Sequence, residues 1–195
     1  MRSLLREIWR RDPVLALAGW LQLIALAAVL VVAPFDEREI LGINRWIKPM
    51  KFLVSVAIYL WTVAWFMPYV SGPRWSKALI RWSVAAALVV ENACIVMQSV
   101  RGVQSHFNVS TAFDGINFGT MGIMILINTL MLVLLLLLMF VKPLPTLPRP
   151  YIWAVRLGLL FIVLGSLEGA YMIGQKQTGL GMPEAKDEVP HSLPL

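Results

Sequence analysis

The chain has 195 residues, of which 58% are hydrophobic and only 14% charged, with a formal net charge of +6. That composition excludes an ordinary soluble domain and fits an all-α integral membrane protein, a single bundle of about five transmembrane helices. The positive charge is shared among the flanks of the apolar runs, which points to orientation in a bilayer rather than to nucleic-acid binding, and the lone Cys94 excludes an intrachain disulfide and any multi-cysteine metal site within the chain.

Taking about 20 residues as the length of a span, the first runs over 14–33, after Asp12-Pro13 and up to Pro34. It is longer than a secretory h-region and has no convincing small-x-small cleavage site, so it is read as a retained signal anchor. The second covers 49–70, opening on Pro49 with Lys51 just inside and closing at Gly72-Pro73. The third covers 80–100 and carries Glu91. The fourth covers 117–141, with no charge between Asp114 and Lys142, and its run Leu130 to Leu138 reads as facing lipid on most sides. The fifth covers 151–174, after Pro143, Pro145, Pro148 and Pro150, and carries Glu168. Residues 175–195 read as a polar, flexible tail.

The basic residues set the orientation. With the N-terminus cytoplasmic, ten fall inside (Arg2, Arg6, Arg10, Arg11, Arg74, Lys77, Arg81, Lys142, Arg149, Arg156) and seven outside, the direction of the positive-inside rule. Trp9, Trp46, Trp75, Trp82 and Trp153 lie near span ends, as an aromatic belt requires.

Glu91 is the most informative residue, because an ionisable group in mid-span costs roughly 3 kcal/mol to insert and is seldom kept without a reason. Gln98, Arg101 and Ser105 follow it at helical spacing, Lys51, Ser55, Tyr59 and Thr62 form a second stripe, and Asn117 and Asn128 a third. Three stripes on successive helices predict a shared interior face, since lipid offers them no partner. By depth, Glu91 lies about 15 Å from Arg101 along its helix, so it is expected to meet Tyr59 or Thr62. The plainer alternative is that these groups only hydrogen-bond neighbouring helices, worth about 0.6 kcal/mol on average.

The connection from Arg101 to Gly119 gathers Gln104, Ser105, His106, Asn108, Thr111 and Asp114. His106 and Asp114, with Glu168, are weak candidates for an acid/base pair or a small metal site, against the alternative that Asp114 caps the fourth helix. The glycines in Gly115-x-x-x-Gly119 and Gly165-x-x-x-Gly169 permit close helix approach.

The string Lys48-Pro49-Met50-Lys51-Phe52, with Glu91 and Gln98 before Arg101-Gly102 and then Ser105-His106-Phe107-Asn108 and Asp114, resembles a group of uncharacterised bacterial multi-pass membrane proteins. The resemblance implies a location in the bacterial cytoplasmic (inner) membrane and names no activity, substrate or cofactor. Those relatives continue beyond the fifth helix, so the resemblance implies a shortened member of the group.

Two functional classes follow. The preferred one is a non-enzymatic protein that binds or passes a small molecule, ion, proton or lipid at an outward-facing polar pocket made by Glu91, Gln98, Arg101, Lys51, Tyr59, His106, Asn108 and Asp114. The other is a membrane-embedded enzyme with His106 as general base and Asp114 or Glu168 orienting it. An accessory subunit, or a homo-oligomer, whose polar stripes meet another membrane protein is the third possibility.

Overall fold

A computed structural model of the chain describes residues 2–141 and 148–174; the polar tail read at 175–195 lies outside them. Among the described residues five helices are long and apolar enough to cross a membrane, as the hydropathy pattern predicts, and the protein is an all-α membrane bundle.

A short amphipathic helix, α1 (Arg2–Arg11), precedes the spans. It was not expected: its arginines read as an orientation signal, yet Ile8 is buried and seats the helix on the bundle. Helix α2 (Pro13–Val32) starts where the Asp12 carboxylate accepts the Leu15 N–H at 3.2 Å, with Pro13 in the first turn, a position where the missing N–H costs nothing. A 3-10 turn follows over Ala33–Phe35. Strands β1 (Glu39–Ile40) and β2 (Ile43–Asn44) then form a small antiparallel hairpin. Its two-residue loop, Leu41-Gly42, has φ of 54° and 72°, the left-handed pair that matches strand twist in so tight a turn.

Helix α3 (Ile47–Phe66) begins two residues before Pro49, which therefore falls among the first four N–H positions that lack an internal acceptor. Helix α4 (Arg74–Arg101) begins six residues earlier than predicted, directly after Pro73. It closes at Gly102, where φ is 76° and the N–H groups of Gly102 and Val103 return to the carbonyls of Ser99 and Gln98, both at 3.1 Å. This left-handed closure favours glycine. Helix α5 (Ala112–Val141) also starts five residues early, because Thr111, not Asp114, caps it: the Thr111 hydroxyl oxygen accepts the Asp114 N–H at 3.1 Å. Helix α6 (Arg149–Gly174) completes the bundle.

The buried stripe of α4 runs through Ile80, Val84, Leu88, Glu91, Asn92, Ile95 and Gln98, so polar groups share the face that packs inward. Helices α2 and α3 make the closest pair; Gly19 leaves room for Trp61, whose Nε1 donates to the Ala16 carbonyl at 3.2 Å. In the Leu130–Leu138 run one face turns inward, with Leu132 and Leu135, and Met139 beyond them, buried in the core, while Leu130 and Leu137 are exposed. Of the five tryptophans placed in the aromatic belt, four are exposed, while Trp46 is buried and its indole N–H donates to Asp36 at 3.0 Å.

Candidate functional site

The polar groups resolve into separate clusters rather than one lined pocket. At the hairpin end of the bundle, Asp114 is almost fully buried on the first turn of α5. Its carboxylate accepts from Gln98 Nε2 at 2.9 Å, from the Thr111 hydroxyl at 2.6 Å, and from the Arg101 guanidinium, which also reaches Gln98 Oε1. Arg101 lies over the Phe113 ring, 4.7 Å from its centroid, a stacking geometry that favours a delocalised cation. The Ser110 hydroxyl stands 2.6 Å from Asn108 Oδ1 and 3.3 Å from Asp114 Oδ2. Gln98, Arg101, Asn108 and Asp114 therefore do come together.

His106 belongs to a neighbouring cluster. Its Nδ1 lies 3.1 Å from both Lys48 Nζ and Ser105 Oγ, and the rings of Phe52 and Phe118 flank it with centroids at 6.2 Å. Burial, then the Lys48 charge, depresses the imidazole to about 4. Such a ring is a neutral donor at Nε2, with its basic nitrogen already facing a cation, a poor arrangement for a general base. The adjoining Phe107 has φ 60°, strained for a side chain with a Cβ.

Beside these, a clamp that the sequence pattern did not disclose pins the hairpin to α4. The Arg45 guanidinium pairs with Asp36 and donates to the Val100 carbonyl at 3.0 Å. Arg45, then, is structural, and only its spacing from Asp36 hinted at the pair.

Deeper in the bundle the groups thin out. Asn92 Nδ2 donates to Gln22 Oε1 at 2.8 Å between α4 and α2, leaving Asn92 Oδ1 without a partner. Tyr59 donates to Asn128 Oδ1 at 3.1 Å, and Thr62 donates to its own helix at the Ile58 carbonyl, so neither meets Glu91 as expected. The reason is the rotation of α3: Leu53, Val56, Ala57, Leu60 and Val63 take the buried face, which turns Lys51, Ser55 and Thr62 outward. No hydrogen bond or ion pair joins the Lys51 ammonium to another candidate residue among those described; Lys48, one turn earlier, meets the loop instead.

Glu91 is 6% exposed, and no hydrogen bond or ion pair joins its carboxyl to another described residue. Asn117 Nδ2 is also buried without a partner. In the antiparallel register set by Gln98 and Asp114, Asn117 stands level with Ile95, about 6 Å along the axis from Glu91. The enclosed Asn117 amide without an acceptor is unusual, because such an unmet group costs about 1–3 kcal/mol, and Glu91 lies on the facing helix.

Glu168 is exposed on α6 and its carboxyl has no hydrogen bond or ion pair to His106 or Asp114, so the three catalytic candidates do not gather. Among the described residues no three His, Cys, Asp or Glu side chains gather as metal ligands would. The glycines of both GxxxG pairs have open space where a Cβ would stand, so within the described residues they bring no helices close.

The fold and these clusters define a multi-pass α-helical membrane protein with a polar seam between α4 and α5. Comparison of the chain with family models, with curated proteins and with solved structures gave no match, and the resemblance in the Lys48–Phe52 and Arg101–Asn108 strings rests on those residues alone.

Proposed function

We propose that the protein is a non-enzymatic membrane protein that takes up a proton or a small polar ligand at Glu91, in mid-span, reached from the end marked by Arg101 and Asp114. The observation that carries this reading is the Glu91 side chain, 6% exposed and joined to no described residue by a carboxyl hydrogen bond or ion pair, on the helix that faces the unpartnered Asn117 amide. An intramembrane carboxyl that only packed would be expected to recruit a neighbouring donor. The Arg101–Asp114–Gln98 network tops the same α4–α5 seam and holds its charges in pairs, which suits a gate or vestibule better than a reacting centre. The enzyme reading loses ground because Lys48 occupies the basic nitrogen of His106 and Asp114 is committed to Arg101. An inner-membrane location, with the N-terminus cytoplasmic, fits the basic flanks.

A hydrophobic carbodiimide, which adds to protonated carboxyls within the membrane phase, tests the site in reconstituted protein. Peptide mapping should find the adduct on Glu91, slowed by Asn117→Leu if the two line one space. Modification confined to the exposed Glu168 would contradict the proposal.

A second reading has its own observation. Helix α6 packs chiefly against α5, with Glu168 exposed and Gly165 and Gly169 open, the arrangement of a helix that meets another membrane protein or a second copy. Crosslinking through cysteines placed at Gly165 separates this from the first: a specific crosslinked species supports the accessory role, and random collision products argue against it.

A further inference from the structure

At the opposite end of the bundle from His106, a basic pocket of about 450 Å³ opens beside an apolar groove of about 540 Å³, and Tyr69 lines both. Neither includes any residue of the Glu91 seam. The pocket carries Arg10, Arg11, Lys77 and Arg81. Two carboxylates face these cations: Glu7, paired with Arg10 and Arg11, and the buried Asp12, paired with Arg81 at 2.6 Å. Arg10 and Arg11 hold Glu7 down at about 2, so it stays an anion. The pocket is left with an excess of two positive charges, and the Lys77 ammonium has no hydrogen bond or ion pair among the described residues.

The pocket sits where the first span begins at Pro13, the second ends at Tyr69 and the third begins at Arg74. Exposed Trp9, Trp75, Trp82, Tyr151 and Trp153 surround this end, the level at which amphipathic rings meet lipid headgroups. The groove runs from it along α3 and α6 between Trp65, Phe66, Tyr151, Gly158, Leu159 and Ile162. A cationic pocket at headgroup level that continues into an apolar channel matches a molecule with a phosphate at one end and a hydrocarbon chain at the other.

We propose that this end of the protein binds one anionic phospholipid, its phosphate held by Arg10, Lys77 and Arg81 and one acyl chain laid in the α3–α6 groove. Arg11 positions the floor, donating to the Trp65 carbonyl at 2.8 Å while its guanidinium stacks 4.0 Å from the Trp65 ring. The site is independent of Glu91 and stands whether or not the proposed function does.

Native mass spectrometry of the purified full chain, with dioleoyl phosphatidylglycerol and dioleoyl phosphatidylcholine at equal concentration, tests it. The anionic lipid should be retained preferentially. The double variant Arg10→Gln, Lys77→Gln removes cations that do not hold the helices together, the Arg10 side chain being 77% exposed, and should cut the preference roughly tenfold or more. Gly158→Leu fills the groove at a position where a Cβ meets nothing within 4 Å, and should weaken phosphatidylglycerol binding with the pocket charges intact. Equal retention of the two lipids by the unmodified chain would overturn the proposal. So would displacement of the lipid by inorganic phosphate together with indifference to Gly158→Leu, which would mark a free-phosphate site.

Discussion

Lys48 Nζ stands 3.1 Å from His106 Nδ1, and since an ammonium can only donate, the imidazole accepts at Nδ1 and carries its proton on Nε2. The pair ties the start of α3 to the loop between α4 and α5, and it makes the docking of that loop depend on pH. An unfolded histidine titrates near 6.5, whereas burial and the Lys48 charge depress His106 to about 4. The stability gained by keeping the ring neutral is therefore complete above about pH 6.5 and is lost as pH falls toward 4. Hydrogen exchange of the 102–111 amides, corrected for intrinsic rates, should show protection falling over that window in the native chain and staying flat in His106→Gln. The same slope in both would refute the assignment.

Asp114 organises the next cluster. Asp114→Ala strips acceptors from the buried Gln98 and from Thr111 and should destabilise the bundle by about 2–4 kcal/mol. Asp114→Asn keeps an oxygen acceptor and should cost about half as much. The Arg101 charge contributes little of this, its side chain being 36% exposed. Thermal unfolding in detergent micelles compares the two variants; equal, small losses would show that the network is decorative.

Glycines separate close packing within the chain from surfaces left open. A Cβ on Gly19 would collide with the Trp61 indole, so Gly19→Ala must displace the ring, breaking its bond to the Ala16 carbonyl and its edge contact with Trp20 at 5.3 Å. The expected cost is about 1–3 kcal/mol. Gly119→Ala meets nothing within 4 Å and should be neutral or stabilising by up to about 1 kcal/mol. Melting temperatures that rank these two the other way would contradict the α2–α3 packing.

Orientation is tested with single cysteines in a Cys94-free background. Ser76 would be a poor probe, since it is buried in the first turn of α4; Arg74 and Val109 are both exposed and lie at opposite ends. In intact cells an impermeant maleimide should label Val109→Cys and spare Arg74→Cys. The reverse would place the N-terminus outside.

The spans were legible because length and unbroken apolarity suffice to identify them, and the glycine and proline punctuation placed most ends within a few residues. The early starts of α4 and α5 were missed for a common reason: polar residues such as Arg74, Lys77 and Asp114 read as loop when hydropathy is the guide, although Pro73 and Thr111 were there to begin each helix. The rotation of α3 could not be read at all. Lys48 and Lys51 both open that helix, and which of them meets His106 depends on which face α2 buries, a tertiary fact. Gln22 was overlooked as a lone amide in an apolar run, yet it is the partner of Asn92. Gln98, Arg101 and Asp114 were recovered together because helical spacing and a short loop leave little freedom, while the expected meeting of Glu91 with Tyr59 failed when Tyr59 reached across to Asn128.

The account turns on Glu91 being a group that exchanges a proton rather than a silent piece of packing. Infrared difference titration of the protein in liposomes measures this directly through the carbonyl stretch of a protonated carboxyl. The account predicts a band that is lost as pH rises in the native chain and is absent in a folded Glu91→Gln variant. Superimposable difference spectra from the two proteins would contradict it and leave Glu91 a structural residue.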